Sequence, residues 1–489
     1  MAATNDHGLL TYLEKCRVSA PPNTVGEKTL TPTFMDLLSL SVHPINRVYF
    51  YEFPHSTSHF IQTLIPKLKH SLSLTLQHFF PYASKLVMFP NNVTKKPEIR
   101  HVEGDSIALT FAESSLDFVD LVGNHPRECN KFHLLLPQLE CPCNEYDQND
   151  HDYLTKFPIF ALQITIFPNL GISIGLTTHH ILCDAKNAHD FLMAWTSITK
   201  NGSDEVYLAH ESLPFYDRSS VIKYPTTSID EIYMAGQPWI QVLEKIYQPR
   251  CSVVTQNDRV VATFHLTKTQ IDLLKKWVLV QLPTLEYVSS FIVGCAYVWI
   301  CMAKSRNFID LILEKKNDDD NKFEDVEEAF FCYANLRGRF DPPVPESYFG
   351  NCVAPCITTA KRALLIGNKG FPKAVEVLVK CITETVKSNK DLFEDAETWM
   401  QRITSLRKPA ISMAGSPKFN VYDIDFGWGK PKKHEGIKIN SNASDVITID
   451  ASRESPQDLE FGLSLCAKQM SAFIGIFDHE ISSILSHHH

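Results

Sequence analysis

His179-His180-Ile181-Leu182-Cys183-Asp184 gathers the residue types that proton transfer near neutral pH requires. An imidazole can take a proton from a hydroxyl and later release it. A carboxylate four positions on can organise the turn that aims the ring, so His180 reads as a general base and Asp184 as its support. HxxxD by itself fixes only two positions and recurs by chance, so its surroundings must decide its meaning. His179 reads as a packed, hydrogen-bonded neighbour. Cys183 reads as a spectator, because a cysteine nucleophile would want its own base and an electropositive niche. The competing chemistries lack their signatures: HExxH, GxSxG, the P-loop pattern and GxGxxG do not occur, and a His pair followed by one Asp offers too few ligands for a closed zinc site. No metal ligand set is therefore assigned.

A second constellation is Asp425-Phe426-Gly427-Trp428-Gly429, followed by Lys430-Pro431-Lys432-Lys433. Glycines flanking a large aromatic permit a tight loop with unusual backbone, the aromatic anchors it, and the basic tail lies where an anionic ligand could approach. On physical grounds alone this is a rigid loop.

The elements that must position these residues alternate between strand and helix. Asn46 to Glu52 is an alternating, aromatic-rich strand, and Leu64, Leu68 and Leu72 recur at helical spacing within a helix expected from about Ser58 to Phe79. FALQITIF and ISIGLTT, separated by Pro168-Asn169-Leu170-Gly171, predict a hairpin in a central sheet. Beyond Asp184 the period becomes helical, with Phe191, Leu192, Trp195 and Ile198 on one face, which places HHILCD where a strand leaves toward a helix. A polar, proline-bearing stretch from 201 to 237 reads as a linker between an N-terminal domain (1–200) and a C-terminal domain (238–486). The second half repeats the mixed pattern, with a strand at 260–265 and helices at 267–281 and 287–302. Glu314 to Glu328, almost wholly charged or polar, reads as a solvated surface loop.

The bulk composition agrees with two cores. A chain of 489 residues exceeds what one hydrophobic core organises, and 44% hydrophobic with 21% charged residues describes an ordinary globular protein. The opening residues lack a signal-peptide pattern and no run of about twenty apolar residues occurs. Thirteen scattered cysteines fit buried thiols in a reducing compartment, so a cytoplasmic location without membrane attachment is expected. A net charge of -9 argues against nucleic acid as a partner. His487, His488 and His489 read as an expression-tag remnant.

HHILCD together with DFGWG, in that order and about 240 residues apart, resembles the BAHD acyltransferases. Leu213 to Arg218 (LPFYDR), Tyr348 to Cys352 (YFGNC) and Ala414 to Phe419 (AGSPKF) add likeness to the anthocyanin and flavonoid glucoside acyltransferases of that family, many of them malonyltransferases. The resemblance implies two chloramphenicol-acetyltransferase-like α/β domains with mixed sheets and flanking helices, joined by a crossover loop, with an active-site channel between them. It also implies a monomer with no bound cofactor, and acyl-CoA as co-substrate. His180 would deprotonate a sugar hydroxyl of a flavonoid or anthocyanin glycoside, which attacks the thioester directly. Asp184 would pair with Arg337, within a local network thinned by Asn335 where the family often has Asp. The loop of Asp425, Phe426, Gly427, Trp428 and Gly429 would support the channel, Asp425 with a structural or a catalytic role. Thr267, Lys268, Ser289, Ser290 and Ser416 are the implied CoA contacts, and helix-cap roles compete for each.

A malonyl donor needs a cation for its free carboxylate, whereas a hydroxycinnamoyl donor needs an apolar pocket. Lys186 is the candidate cation, with an exposed helix lysine as the plainer reading. AGSPKF and YFGNC favour malonyl-CoA, leaving a hydroxycinnamoyl-CoA enzyme and a catalytically silent binding protein as alternatives.

Overall fold

The strand pair that leads into HHILCD is a hairpin. Phe160–Phe167 and Gly171–Thr178 pair antiparallel, and Asn169 takes the left-handed conformation (φ 62°) that the tight connection requires. Both strands are buried almost throughout, as in a sheet covered on both faces. They lie at the centre of a six-stranded mixed sheet. Ser106–Ser114 runs parallel to Phe160–Phe167, Leu10–Ser19 forms one edge, and Ile45–Glu52 lies beside Gly171–Thr178. In the computed structural model, the described residues are 8–92, 95–147, 152–222, 229–234, 238–248, 258–314, 326–386, 393–407, 409–438 and 445–486.

Leu68, Leu72 and Leu76 of the helix Ile65–His78 share a core with Phe191, Leu192, Trp195 and Ile198 of the helix Ala185–Asn201 and with Ile164 and Ile174 of the hairpin. The expected helix from Ser58 is not one regular cylinder. It runs as Thr57–His59, a wide π turn over Phe60–Leu64, and Ile65–His78. Pro66, which has no N–H to give to the preceding turn, sits at the start of the last piece.

A second mixed sheet of seven strands has the order Val353–Lys361, Glu327–Asn335, Ala410–Ala414, Asp445–Ala451, Leu459–Cys466, Arg259–Leu266 and Arg127–Glu128. Trp299, Phe330, Ile411, Phe461 and Phe473 fill its core. The helix expected at 287–302 continues to Glu314. A smaller five-stranded sheet flanks the first core.

The two large sheets trade edge strands. Arg127–Glu128, from the first half of the chain, pairs with Arg259–Leu266, and Lys433–Ile437, from the second half, pairs with Ile45–Glu52. A buried ion pair ties the exchange together: Arg127 Nη2 donates to Glu435 Oε1 at 2.7 Å, and the Thr263 hydroxyl donates to the same oxygen at 3.1 Å.

Two polar stretches differ from expectation. Across 201–237, Gly202 (φ 74°) closes the helix Ala185–Asn201, and the chain then forms the helices Glu205–His210, Ser219–Ile222 and Ile229–Met234. Tyr207, Val221, Ile229 and Tyr233 are buried in the first core, as are Trp239, Leu243 and Tyr247 beyond position 238. The spacing of 229 with 233 and of 239 with 243 makes one apolar face, which the polar and proline-bearing composition conceals. Residues 223–228 and 235–237 of this stretch lie outside the described residues. In the charged run 314–328, residues 315–325 lie outside them too, but its end is not a surface loop. Glu327–Asn335 is a strand, and Glu328 is fully buried because Arg306 and Arg362 both pair with it. Among the described residues no helix is long and apolar enough to cross a membrane.

Candidate active site

Thr178 ends the central strand and Asp184 caps the helix Ala185–Asn201, so His179 and His180 lie in the short turn between them. The two rings have opposite fates. His179 is fully buried; its Nδ1 accepts from the Ile181 N–H at 3.3 Å and its ring stacks on Tyr247. Burial, with smaller repulsions from His180 and His43, pushes its pKa down to about 3, so it stays neutral. His180 is half-buried and faces Tyr333 of the second half at 6.0 Å between ring centroids. Its Nδ1 lies 3.3 Å from Ser39 Oγ. With the hydrogen on Nδ1, the ring donates toward Ser39 Oγ, and Nε2 is the nitrogen that can accept a proton. Burial lowers the His180 pKa below the ordinary imidazole value, against the opposing pull of its backbone carbonyl, Asp184 and Asn351.

Asp184 does not reach the ring. One oxygen accepts from the Asn187 N–H at 3.3 Å, which caps the helix, and the other accepts from Arg337 Nη1 at 2.7 Å and from the Cys352 N–H at 3.2 Å. Arg337, 1% exposed, also donates to Asn187 Oδ1 and to the carbonyls of Tyr348 and Gly350. Asn335 Oδ1 accepts from the Arg337 N–H at 3.1 Å and from Nη1 at 3.4 Å, so the amide holds the arginine without a second carboxylate. Cys183 is buried against the Tyr82 hydroxyl with its pKa raised by desolvation, the opposite of an activated nucleophile.

A buried network on the other side of the turn was not foreseen from the sequence. Asn351 Nδ2 donates to the His180 carbonyl at 3.0 Å and to Asp36 Oδ1 at 2.9 Å, and the Asn351 N–H also donates to Asp36 Oδ1. Asp36 Oδ2 accepts from Arg218 Nη1 at 2.6 Å and from Thr33, whose capping box with Asp36 opens the helix Phe34–Leu37. YFGNC and LPFYDR thus converge here: Phe215 bridges Tyr348, and Arg218 and Asn351 meet on one carboxylate. Thr33-x-x-Asp36 ahead of an apolar run was the local signal for this helix start. Nothing local joins it to positions 218 and 351.

The DFGWG loop holds the far end of the helix Ala185–Asn201. Asp425 Oδ1 accepts from the N–H groups of Gly427 (2.8 Å) and Gly429 (2.9 Å), and its other oxygen lies 3.0 Å from Lys200 Nζ. Burial works against the charge, but those two N–H groups and Lys200 together hold the Asp425 carboxyl below the usual range. Gly427 and Gly429 have φ of 103° and 109°, which side-chain-bearing residues rarely adopt. Phe426 is fully buried, edge-on to Trp195 at 4.8 Å and stacked on Trp428 at 5.2 Å.

The remaining candidates have partners within the chain. Thr267 caps the helix Lys268–Gln281 in a capping box with Gln270, and Lys268 pairs with Asp272. Ser289 Oγ accepts from the Ile292 N–H, Ser290 Oγ accepts from Lys275 Nζ, and Ser416 Oγ accepts from the Lys418 N–H. Lys186 pairs with Asp190 at 2.8 Å along its own helix. A cavity of about 330 Å³ beside Arg306, Arg362 and Asp445 contains none of the motif residues, and its arginines are in ion pairs. Among the described residues no group of three or more His, Cys, Asp or Glu is placed to hold a metal ion.

The Transferase family matches residues 10–479. The chain is 45% identical to malonyl-coenzyme A:anthocyanin 3-O-glucoside-6''-O-malonyltransferase of Dahlia pinnata, over 98% of each chain. It is 38% identical to phenolic glucoside malonyltransferase 1 of Nicotiana tabacum, over 97% of this chain and all of that one. The crystal structure of vinorine synthase superposes with a TM-score of 0.64 at 20% identity, over 95% of this chain and 96% of that one, a likeness of fold. With the turn, its two clamps and the paired mixed sheets in place, the chain has the two-domain chloramphenicol-acetyltransferase-like fold and belongs to the Transferase family as a BAHD-type acyl-CoA-dependent acyltransferase.

Proposed function

We propose that this enzyme moves a malonyl group from malonyl-CoA to a sugar hydroxyl of an anthocyanin or flavonoid glucoside, with His180 as the general base. The observation that carries the mechanism is the half-buried His180, with Nδ1 beside Ser39 Oγ in the turn that Asp184 and Arg337 fix. Likeness to two glucoside malonyltransferases supports the donor and the acceptor class. Nε2 takes the proton as the sugar oxygen attacks the thioester carbon, and the carbonyl pair moves onto oxygen. Collapse of that intermediate breaks the C–S bond, and the imidazolium returns its proton to the leaving thiolate, giving CoA and the malonyl ester. Asp184 and Arg337 fix the turn and take no proton. On the second-half side, Thr267, Lys268, Ser289, Ser290 and Ser416 are assigned to the CoA end. The reaction is placed in the cytoplasm, on a monomer.

The test offers malonyl-CoA and p-coumaroyl-CoA separately to the purified protein with cyanidin and quercetin glucosides, following product mass and thiol release. A malonylated product formed only with malonyl-CoA is expected. A coumaroylated product transfers the assignment to the hydroxycinnamoyl donors, and no product from either overturns the acceptor class. His180→Ala is expected to keep the far-UV spectrum and lower kcat by about 10²- to 10⁴-fold. Because burial lowers the His180 pKa, the base form persists through neutrality, and kcat/KM is expected to fall only on the acid side of about pH 6.5.

A further inference from the structure

We infer that Arg47 is the cation that receives the free carboxylate of the donor, an inference that rests on the malonyl reading above. Arg47 lies on Ile45–Glu52, the strand beside the one that delivers His180, opposite Leu176 and four residues short of that histidine in register. Side chains alternate along this strand: Val48 and Phe50 enter one core cluster, whereas Tyr49 and Tyr51 enter the cluster that contains the residues flanking His180. Arg47 therefore points to the His180 side of the sheet.

The other cations near the site are committed. Lys186 pairs with Asp190, Lys200 with Asp425, Arg218 with Asp36 and Arg337 with Asp184. Arg47 is half-buried, engages the Tyr49 side chain, and among the described residues has no carboxylate within ion-pair distance. Asp450, the carboxylate whose charge helps to raise the Arg47 pKa, is engaged by His434 at 3.3 Å. The positive charge reaches the reacting centre, since it disfavours protonation of both His180 and His189. In a malonyl thioester one methylene separates the carboxylate from the carbonyl carbon that is attacked. The receptor must therefore lie beside the base, and a guanidinium fits a carboxylate with two parallel hydrogen bonds.

The test compares malonyl-CoA with acetyl-CoA, which differ only in that carboxylate, on one glucoside acceptor for wild type, Arg47→Met, Arg47→Gln and Arg47→Lys. Wild type is expected to prefer malonyl-CoA in kcat/KM. Met and Gln are expected to reduce the malonyl-to-acetyl ratio by at least about 30-fold while acetyl transfer persists, and Lys to retain part of the preference. Equal losses with both donors in the folded variants, or an unchanged ratio, overturn the assignment. If Arg47→Met fails to fold by thermal melting, the Gln and Lys variants decide between the same outcomes. A wild type that ignores malonyl-CoA overturns the malonyl reading itself, a different result from a wild type that uses it with an indifferent Arg47.

Discussion

Asp184 and Asp425 stand at the two ends of the helix Ala185–Asn201, and each accepts from backbone N–H groups and from a cation. The resemblance is superficial. Asp184 is buried with Arg337, and the pair is bonded to groups from other segments, the Cys352 N–H and the Tyr348 carbonyl, so its charge has no solvent to fall back on. Asp425 and Lys200 are partly exposed, and the loop they close is held chiefly by Phe426 and Trp428 against Trp195 and Tyr51. The end that carries the base is thus fixed by directional charge. The far end is fixed by aromatic packing that tolerates adjustment of its polar contacts.

The strongest way to break this comparison is Asp184→Ala, which strands the Arg337 charge. A loss of about 3–5 kcal/mol in urea denaturation is expected, with kcat falling alongside. A loss below about 1 kcal/mol would mean that the Tyr348 and Gly350 carbonyls suffice for Arg337. The same end contains His179, whose pKa of about 3 lies below the value of about 6.5 it has when unfolded. The unfolded state then binds the proton first. The contribution of His179 to stability is complete above about pH 6.5 and is lost as pH falls toward 3, by at most about 1.4 kcal/mol per pH unit. His179→Gln is expected to flatten this part of the pH–stability curve relative to wild type, and an unchanged slope would assign the acid sensitivity to other histidines.

At the far end the effects are smaller. Asp425→Ala leaves the exposed Gly427 and Gly429 N–H groups to bond water instead, an expected loss of about 0.5–1.5 kcal/mol by thermal melting. The acid limb of kcat/KM is expected to stay in place; its displacement would give Asp425 a part in proton transfer and erase the contrast. Lys200→Ala, at an exposed pair, is expected to change stability by less than about 1 kcal/mol. A larger change would show that charge matters at both ends.

How far each part could be read in advance follows from the range of its interactions. The hairpin, the helix face of Phe191, Leu192, Trp195 and Ile198, and the tight DFGWG loop are set by neighbours in sequence, so period and turn chemistry disclose them. Arg337 facing Asp184 came from likeness to a family, since a separation of 153 positions leaves no local signature. The Asp36–Arg218–Asn351 network escaped for that reason: its members lie in three separate segments that meet only in the folded chain. Glu328 escaped because a charge run reads as solvated until Arg306 and Arg362 arrive from elsewhere. The buried helices after Gly202 show the converse, an apolar face diluted by polar and proline residues.

The exchanged edge strands bear on how the molecule comes apart. Removing either half would strip a strand from the other sheet, uncover the ladder edge at Ile45–Glu52 or Arg259–Leu266, and break the buried Arg127–Glu435 pair. Neither half is then a self-sufficient folding unit. Separately expressed halves should aggregate edge to edge, and the full chain should lose both cores in a single cooperative transition despite its two-sheet architecture.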